Sequence, residues 1–159
     1  MPRSAVVITV SDRAAAGTRA DASGPVAVDA LRQAGFACED ALVVPDGADS
    51  VEAALREALV SRPLLVLTSG GTGIAPSDRT PEGTARVIEL PVPGIAEELR
   101  RIGAAAAPGG LLSRGLAGVA GGVLIVNLPG SPGGVADGVA AVLRVADHVA
   151  SQLRGGDHR

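Results

Sequence analysis

The sequence predicts an α/β fold, a three-layer sandwich with a mainly parallel sheet and helices on both of its faces. Short, continuous apolar runs that are rich in β-branched residues are typical of buried parallel strands. Such runs occur at positions 5–10, 64–67 and 123–126. Stretches with helical spacing of apolar residues lie between the runs, so strands and helices alternate along the chain.

The first half of the chain contains two predicted helices and a weaker strand. A helix over 23–35 can be capped by its first residue, a serine, and has a proline in its first turn. A fourth strand, less distinct than the others, is expected over 38–44. Asp49 and Glu52 have the spacing of a capping box, and apolar residues recur at helical intervals over 51–60.

The second half of the chain predicts two further helix starts and a hairpin. Thr80 and Ser131 each precede a proline, which is typical of a cap followed by a first-turn proline. Two apolar pieces separated by two glycines over 114–126 predict a small β-hairpin inserted before the last core strand. Apolar residues then form a continuous stripe over 135–153, which predicts one long final helix.

Length and composition allow one self-sufficient domain, expected over 1–153, followed by a disordered polar tail over 154–159. A chain of 159 residues can bury roughly 70% of its unfolded surface, and 47% of these residues are hydrophobic. Phe36 is the only aromatic residue, so the core must consist of aliphatic side chains. Cys38 is the only cysteine, which excludes a disulfide framework.

Charge and apolar patterning exclude several classes of function. The net charge of −3 argues against a nucleic-acid partner, which normally requires a basic patch. No apolar stretch approaches the ~20 residues that span a bilayer, and the first run is too short for a signal peptide. We therefore expect a cytoplasmic protein with no membrane partner. All 14 basic residues are arginines, which excludes a P-loop lysine.

Small or polar residues follow every predicted strand, where ligands of open α/β sheets bind. Glycines let backbone N–H groups converge on a phosphate, and the helix that begins at 131–132 adds free N–H groups and its dipole. Each loop alone is equally well explained as a plain turn, but two at one sheet edge favour an anion site. The residues concerned are Ser11, Asp12 and Arg13, then Asp46, then Ser69, Gly70, Gly71, Thr72 and Gly73, and finally Asn127, Pro129, Gly130, Ser131 and Pro132.

Two aspartates in these loops have two possible roles. Asp46 follows the weak strand, and Asp78 lies between the glycine loop and a helix. Capping a turn is the commoner role of a loop aspartate, and spacing alone favours it. Alternatively, the two carboxylates hold Mg²⁺ against phosphate oxygens. Arg13 has a similar ambiguity between a surface ion pair with Asp12 and a phosphate contact.

Five motifs, in order along the chain, resemble those of the MogA/MoaB family of molybdopterin-binding proteins. The resemblance runs from the first strand to the last helix, and the combination of motifs at these spacings is specific. The motifs are Val-Ser-Asp-Arg at 10–13, Pro-Asp at 45–46, Thr-Ser-Gly-Gly-Thr-Gly at 68–73, Asp-Arg-Thr-Pro-Glu at 78–82 and Asn-Leu-Pro-Gly-Ser-Pro at 127–132.

The resemblance implies a reaction and a set of site residues. Active family members resemble adenylyltransferases that join molybdopterin to the α-phosphate of ATP and release pyrophosphate. The resemblance makes Asp46 and Asp78 catalytic and Mg²⁺-binding residues, adds Thr80 and Glu82 to the substrate-binding loops, and implies a homotrimer. A molybdopterin-binding or carrier protein without turnover is the alternative. A general binder of sugar or nucleotide phosphates is a third interpretation.

Overall fold

A computed structural model describes residues 3–156. Its seven-stranded sheet has the order β2-β1-β4-β7-β6-β5, with β3 also paired to β1. The pairs that join β1 to β2, β3 and β4, and β4 to β7, are parallel, whereas β5–β6 and β6–β7 are antiparallel. The strands are β1 (Ser4–Val10), β2 (Ala37–Cys38), β3 (Leu42–Val44), β4 (Leu65–Ser69), β5 (Leu90–Pro91), β6 (Ala117–Ala120) and β7 (Val123–Leu128).

Helices cover both faces of the sheet, as predicted. None of them, within residues 3–156, has the length and apolar character needed to traverse a bilayer. A short 3₁₀ helix over Pro108–Leu112 precedes the hairpin. The α-helices are α1 (Asp12–Ala15), α2 (Ser23–Gln33), α3 (Ala48–Leu59), α4 (Thr80–Ala85), α5 (Pro93–Ala106), α6 (Pro132–Leu143) and α7 (Ala146–Leu153).

The central strand β4 shows how the three layers are packed. Leu65 and Leu67 belong to the core cluster formed with α2, α5, α6 and α7, whereas Val66 belongs to the cluster formed with α3. All three side chains are fully buried. Because successive side chains of a strand point to opposite faces, a strand buried on both faces is apolar throughout. This explains why the core strands are continuous apolar runs and confirms the predicted sandwich.

The predicted hairpin is confirmed, and the predicted strand over 38–44 proves to be two strands. β6 and β7 are antiparallel and are joined by Gly121 and Gly122, which have φ of +56° and +75°. On the other side of the sheet, β2 and β3 both pair with β1 but are separated by residues 39–41.

The single final helix predicted over 135–153 is wrong, because the chain turns between α6 and α7. The N–H of Val145 donates to Val142 O at 3.1 Å, a bond one residue shorter than the helical repeat. The apolar period does not reveal this break, because Val142 and Ala146 lie on either side of it and are buried in the same cluster. After α7, Gly155 forms a turn with φ of +80°. Residues 157–159 of the predicted tail lie outside the described residues.

Three of the four predicted caps differ from the structure. α3 begins at Ala48 after Gly47, and Asp49 and Glu52 pair with Arg86 instead of capping it. The Gly24 N–H at the start of α2 donates to Asp21 Oδ1 at 2.9 Å, so Ser23 is not the cap. α4 has no side-chain cap bond, and Thr80 lies inside its first turn. The cap at Ser131 is confirmed, since its Oγ accepts a hydrogen bond from the Gly134 N–H at 3.1 Å.

Candidate functional site

Two cavities lie at the carboxyl edge of the sheet and share Gly130 in their walls. The smaller, of about 320 Å³, is called here the carboxylate cavity. Its lining includes Ser11, Asp46, Ser69, Gly70, Gly71, Asp78 and Pro132 from the predicted loops, together with Arg19, Asp21 and Ser23. The larger, of about 550 Å³, is called the aliphatic cavity, and its lining includes Thr72, Gly73, Pro129 and Ser131 together with Leu99, Ile102 and Leu112.

Gly70 and Gly71 form a turn that leaves no space for side chains. Gly70 has φ of +98°, and a Cβ there would lie 2.3 Å from Val10 O. Gly71 has φ of +67°, and a Cβ there would lie 2.3 Å from Thr80 Oγ1 and 3.3 Å from Asp46 Oδ1. Both positions therefore need glycine for two reasons, the left-handed backbone and the close approach of neighbouring atoms.

Thr80 anchors this turn through two hydrogen bonds. Its side chain is fully buried, and its Oγ1 donates to Gly70 O at 2.8 Å. Its N–H donates to Gly71 O at 3.1 Å. These two bonds use the hydroxyl donor and the backbone donor of Thr80, so the structure gives it a bracing position under the loop, not one in a cavity wall.

Asp46 is held by a reciprocal pair of hydrogen bonds with Asp12. The Asp12 N–H donates to Asp46 Oδ2 at 3.1 Å, and the Asp46 N–H donates to Asp12 Oδ1 at 2.9 Å. The pair joins the end of β1 to the loop after β3. Partial burial raises the pKa of the Asp46 carboxyl, and the neighbouring carboxylates of Asp12 and Asp78 raise it further.

Asp78 stabilises a turn and also lines the carboxylate cavity. Its Oδ2 accepts a hydrogen bond from the Ala75 N–H at 3.0 Å, as expected of an aspartate that stabilises a turn. The same carboxyl group lines the carboxylate cavity with Asp46. A Cβ at Gly73 would lie 2.8 Å from Asp78 Oδ2, so glycine at 73 allows the loop to close around this side chain.

The donor set of the carboxylate cavity fits Mg²⁺ that is shared with a phosphate ligand. Within residues 3–156, no cluster of three or more His, Cys, Asp or Glu side chains could hold a metal by itself. Among the described residues, Asp46 Oδ1 and Asp78 Oδ1 accept no hydrogen bond, so each is available as a ligand. Mg²⁺ typically takes one or two carboxylates and completes its shell with phosphate oxygens and water.

Arg19, which the sequence motifs do not single out, is the arginine that lines the carboxylate cavity. Arg13 lies exposed on α1, outside the walls of both cavities. Arg13 O accepts hydrogen bonds from Thr18 Oγ1 at 3.1 Å and from the Arg19 N–H at 3.3 Å, which folds the following loop back toward the site. No repeat or glycine motif marks Arg19 in the sequence, so pattern alone does not identify it.

Glu82 forms an ion pair, and the partner is a second arginine missed by sequence reasoning. Its Oε1 accepts a hydrogen bond from Arg114 and lies 3.5 Å from Arg79 Nη1. The hydrogen bond from Arg114 lowers the pKa of the Glu82 carboxyl below its usual range. Glu82 lies outside the walls of the carboxylate and aliphatic cavities, but it lines a third cavity, of about 670 Å³, together with Asp46 and Arg79.

Asn127 and Ser69 also bond mainly within the protein. Asn127 is 3% exposed; its Nδ2 donates to Thr68 Oγ1 and Thr84 Oγ1, each at 3.0 Å, and its Oδ1 accepts from the Leu116 N–H. These bonds tie β7 to β4 and α4. Ser69 Oγ lies 2.7 Å from Ser23 Oγ, at the base of the carboxylate cavity.

Comparison with known proteins identifies related sequences across nearly the whole chain. A family described as "Probable molybdopterin binding domain" matches residues 6–148. The molybdenum cofactor biosynthesis bifunctional protein of Synechococcus elongatus is 38% identical over 97% of this chain and 48% of its own length. The molybdopterin adenylyltransferase of Haemophilus influenzae is 38% identical over 68% of this chain and 56% of its own length. The chain spans about half the length of these curated relatives.

Solved structures resemble the chain over its full extent. The molybdopterin biosynthesis Mog protein of Mycobacterium ulcerans is 47% identical, with a TM-score of 0.89 over 95% of this chain and 99% of that chain. The molybdopterin biosynthesis enzyme MoaB of Thermus thermophilus is 40% identical, with a TM-score of 0.85 over 100% of both chains. The similarity therefore covers the sheet, both helical layers and all the loops of the site.

Alanine at position 71 is expected to destabilise the protein more than alanine at position 122. Both glycines have positive φ, but a Cβ at 122 would meet no atom within 4 Å. Gly122→Ala should lower the free energy of unfolding by about 1 kcal/mol, through backbone strain alone. Gly71→Ala adds the clash with Thr80 and should lower it by about 3 kcal/mol in total. Urea unfolding measures both losses, and equal losses would show that the turn has room for a side chain.

Asp46→Asn is expected to stabilise the protein at neutral pH. Because the pKa of Asp46 is raised by folding, the native state binds more protons than the unfolded state between the ordinary and the raised pKa, and wild-type stability falls as pH rises through this window. The gain in stability from Asp46→Asn should be present at pH 7 and should vanish below the ordinary carboxyl pKa of about 4. Thermal unfolding across pH measures it, with Asp29→Asn, an exposed aspartate on α2, as control. A gain independent of pH would contradict the assigned cause.

Proposed function

The chain belongs to the MogA/MoaB family of molybdopterin-binding proteins, and from this premise we propose that it is a molybdopterin adenylyltransferase that uses ATP and Mg²⁺. One observation carries the proposal. Asp46 and Asp78 come from separate loops and line one cavity beside the turn at Gly70 and Gly71. Two carboxylates in one cavity suit a metal–phosphate ligand better than a neutral one.

The proposed reaction requires little covalent chemistry from the protein. A terminal phosphate oxygen of molybdopterin forms a bond to the α-phosphorus of ATP, and the bond between that phosphorus and the bridging oxygen breaks to release pyrophosphate. Such a transfer depends mainly on positioning the two phosphates in line and on neutralising their charge. Asp46 and Asp78 would hold Mg²⁺, which when bound neutralises phosphate charge and orients the leaving group.

The two cavities provide complementary surfaces for such substrates. α6 begins with Pro132 at the wall of the carboxylate cavity, and the positive end of its dipole favours phosphate oxygens there. The aliphatic cavity, with Leu99 and Ile102 in its wall, suits a flat heterocycle held by apolar contact. Because Gly130 borders both cavities, phosphates in one and a ring in the other would be adjacent.

Asp78→Asn is expected to reduce adenylylation of molybdopterin at least a hundredfold while molybdopterin binding stays within about twofold of wild type. Asparagine retains an oxygen that accepts the hydrogen bond from the Ala75 N–H, so the loop keeps its turn and loses one charge. Purified protein is incubated with molybdopterin, ATP and Mg²⁺, and the adenylylated product is measured. Asp29→Asn is the matched control.

Two results of this assay would reject the proposal or part of it. Wild-type protein that binds molybdopterin but forms no adenylylated product, where a known adenylyltransferase works, would select the carrier function instead. Unchanged turnover by Asp78→Asn would reject the role assigned to this carboxylate while leaving the reaction itself in place.

Arg19→Ala is expected to weaken binding of Mg·ATP about tenfold, whereas Arg13→Ala should change it less than twofold. A guanidinium bonded to a phosphate contributes on the order of 1.5 kcal/mol, which corresponds to a factor of about ten. The two arginines lie in one short segment and are both exposed, but Arg19 lines the carboxylate cavity and Arg13 does not. Titration calorimetry without molybdopterin measures both, and a larger effect at Arg13 would contradict the assignment.

A further inference from the structure

Arg114 joins the segment before β6 to both ends of the loop that carries Asp78. Its Nε donates to Gly73 O at 2.8 Å, its Nη2 donates to Asp78 O at 2.9 Å, and its Nη1 donates to Glu82 Oε1. Its N–H donates to Thr72 O at 2.8 Å. One residue thus makes four hydrogen bonds to the chain between Thr72 and Glu82.

The geometry of these bonds requires a guanidinium. Three separate nitrogens reach three acceptors in different directions, which a planar fork with five N–H donors can do and a lysine ammonium cannot. Glu82, on α4, accepts a hydrogen bond from the guanidinium of Arg114. The Glu82 carboxyl group stays ionised because Arg114 lowers its pKa. The pair is partly buried, with about a third of each side chain exposed.

The loop between Gly73 and Asp78 has few other attachments to the fold. Its middle residues, 74–77, are all exposed, and Ile74 is 68% exposed. The hydrogen bond from the Ala75 N–H to Asp78 Oδ2 lies within the loop, so it shapes the loop without placing it. The bonds from Arg114 to Gly73 O and Asp78 O therefore hold the two ends of this loop, in addition to the bonds of Thr80 to the glycine turn.

We infer that Arg114 is a positioning residue for Asp78 and thereby sets the affinity of the carboxylate cavity for a divalent cation. The inference deepens the proposed function and rests on it for the choice of cation and nucleotide. Arg114 itself lies outside the residues that line the carboxylate cavity, so it acts through the loop and not by contact with the ligand.

The test measures binding of Mn²⁺ to the full chain in the presence of ATP and without molybdopterin, by electron paramagnetic resonance. Arg114→Lys keeps the charge but has its N–H donors on a single nitrogen, which cannot reach the three separate acceptors. It is expected to weaken Mn²⁺ binding about tenfold, as the loss of a residue that orients a metal ligand typically does. In an Asp78→Asn background the same substitution should change the affinity less than about twofold, because the carboxylate that Arg114 positions is already absent.

Arg100→Ala is the matched control. Arg100 Nη1 donates to Gly115 O at 2.9 Å and to Ser113 O at 3.4 Å, so it braces the same segment as Arg114 from α5 but makes no bond to the loop of Asp78 among the described residues. Its loss is expected to leave Mn²⁺ affinity within about twofold of wild type. Glu82→Gln, which keeps an oxygen acceptor and removes the charge, is the second variant if Arg114→Lys does not fold, and should weaken binding only while Asp78 is present.

Each outcome supports or overturns the inference. A tenfold loss that disappears in the Asp78→Asn background supports it. The inference is overturned if Arg114→Lys binds Mn²⁺ with wild-type affinity, or if it loses equal affinity in both backgrounds. It is also overturned if Arg100→Ala loses as much Mn²⁺ affinity as Arg114→Lys, or if the wild type binds no Mn²⁺. Absence of adenylylation together with the expected Mn²⁺ results would reject the proposed function alone, and adenylylation with unchanged Mn²⁺ binding in Arg114→Lys would reject this inference alone.

Discussion

The candidate site depends on the close approach of three chain segments at a turn that has no room for a side chain. At Gly70 the backbone meets the carbonyl group at the end of β1, and at Gly71 it meets Thr80 and Asp46. The end of β1, the loop after β3 and the start of α4 can converge on the end of β4 because both residues lack Cβ atoms. Without this convergence, carboxylates from separate loops would not share one cavity.

Charge in the site has a thermodynamic cost that the packed core offsets. Asp46 lies near Asp12 and Asp78, and its raised pKa records the unfavourable burial and repulsion. The neighbouring strands β4 and β7 are buried along their whole length, so the fold can retain a site that is locally unfavourable. A divalent cation with phosphate oxygens would reverse the sign of the interaction, because the carboxylates that repel one another would then share a positive charge.

Much of the fold could be predicted from local pattern, because a strand buried on both faces must be apolar along its whole length. The site could be predicted in part: glycines and aspartates after strands are visible in the sequence. Arg19 and Arg114 could not be identified from the sequence. Arg114 bonds to Gly73, which is 41 positions away, and Arg19 lies in a loop that has no motif. Asn127 lies in a recognisable motif, but only the structure shows that its side chain bonds to Thr68 and Thr84.

The absence of lysine from the sequence gives the site a particular electrostatic character. A guanidinium is not deprotonated in proteins, so the arginines around the site supply a fixed positive field. Among the described residues that line the two cavities, the ionisable groups other than Arg19 are carboxylates. Any pH dependence of ligand binding that arises within these walls must come from carboxyl groups, and Asp46 has the pKa raised toward neutrality. Acidification would therefore protonate Asp46 before an ordinary carboxyl group and weaken a cation site, while the arginines that hold the loops keep their charge.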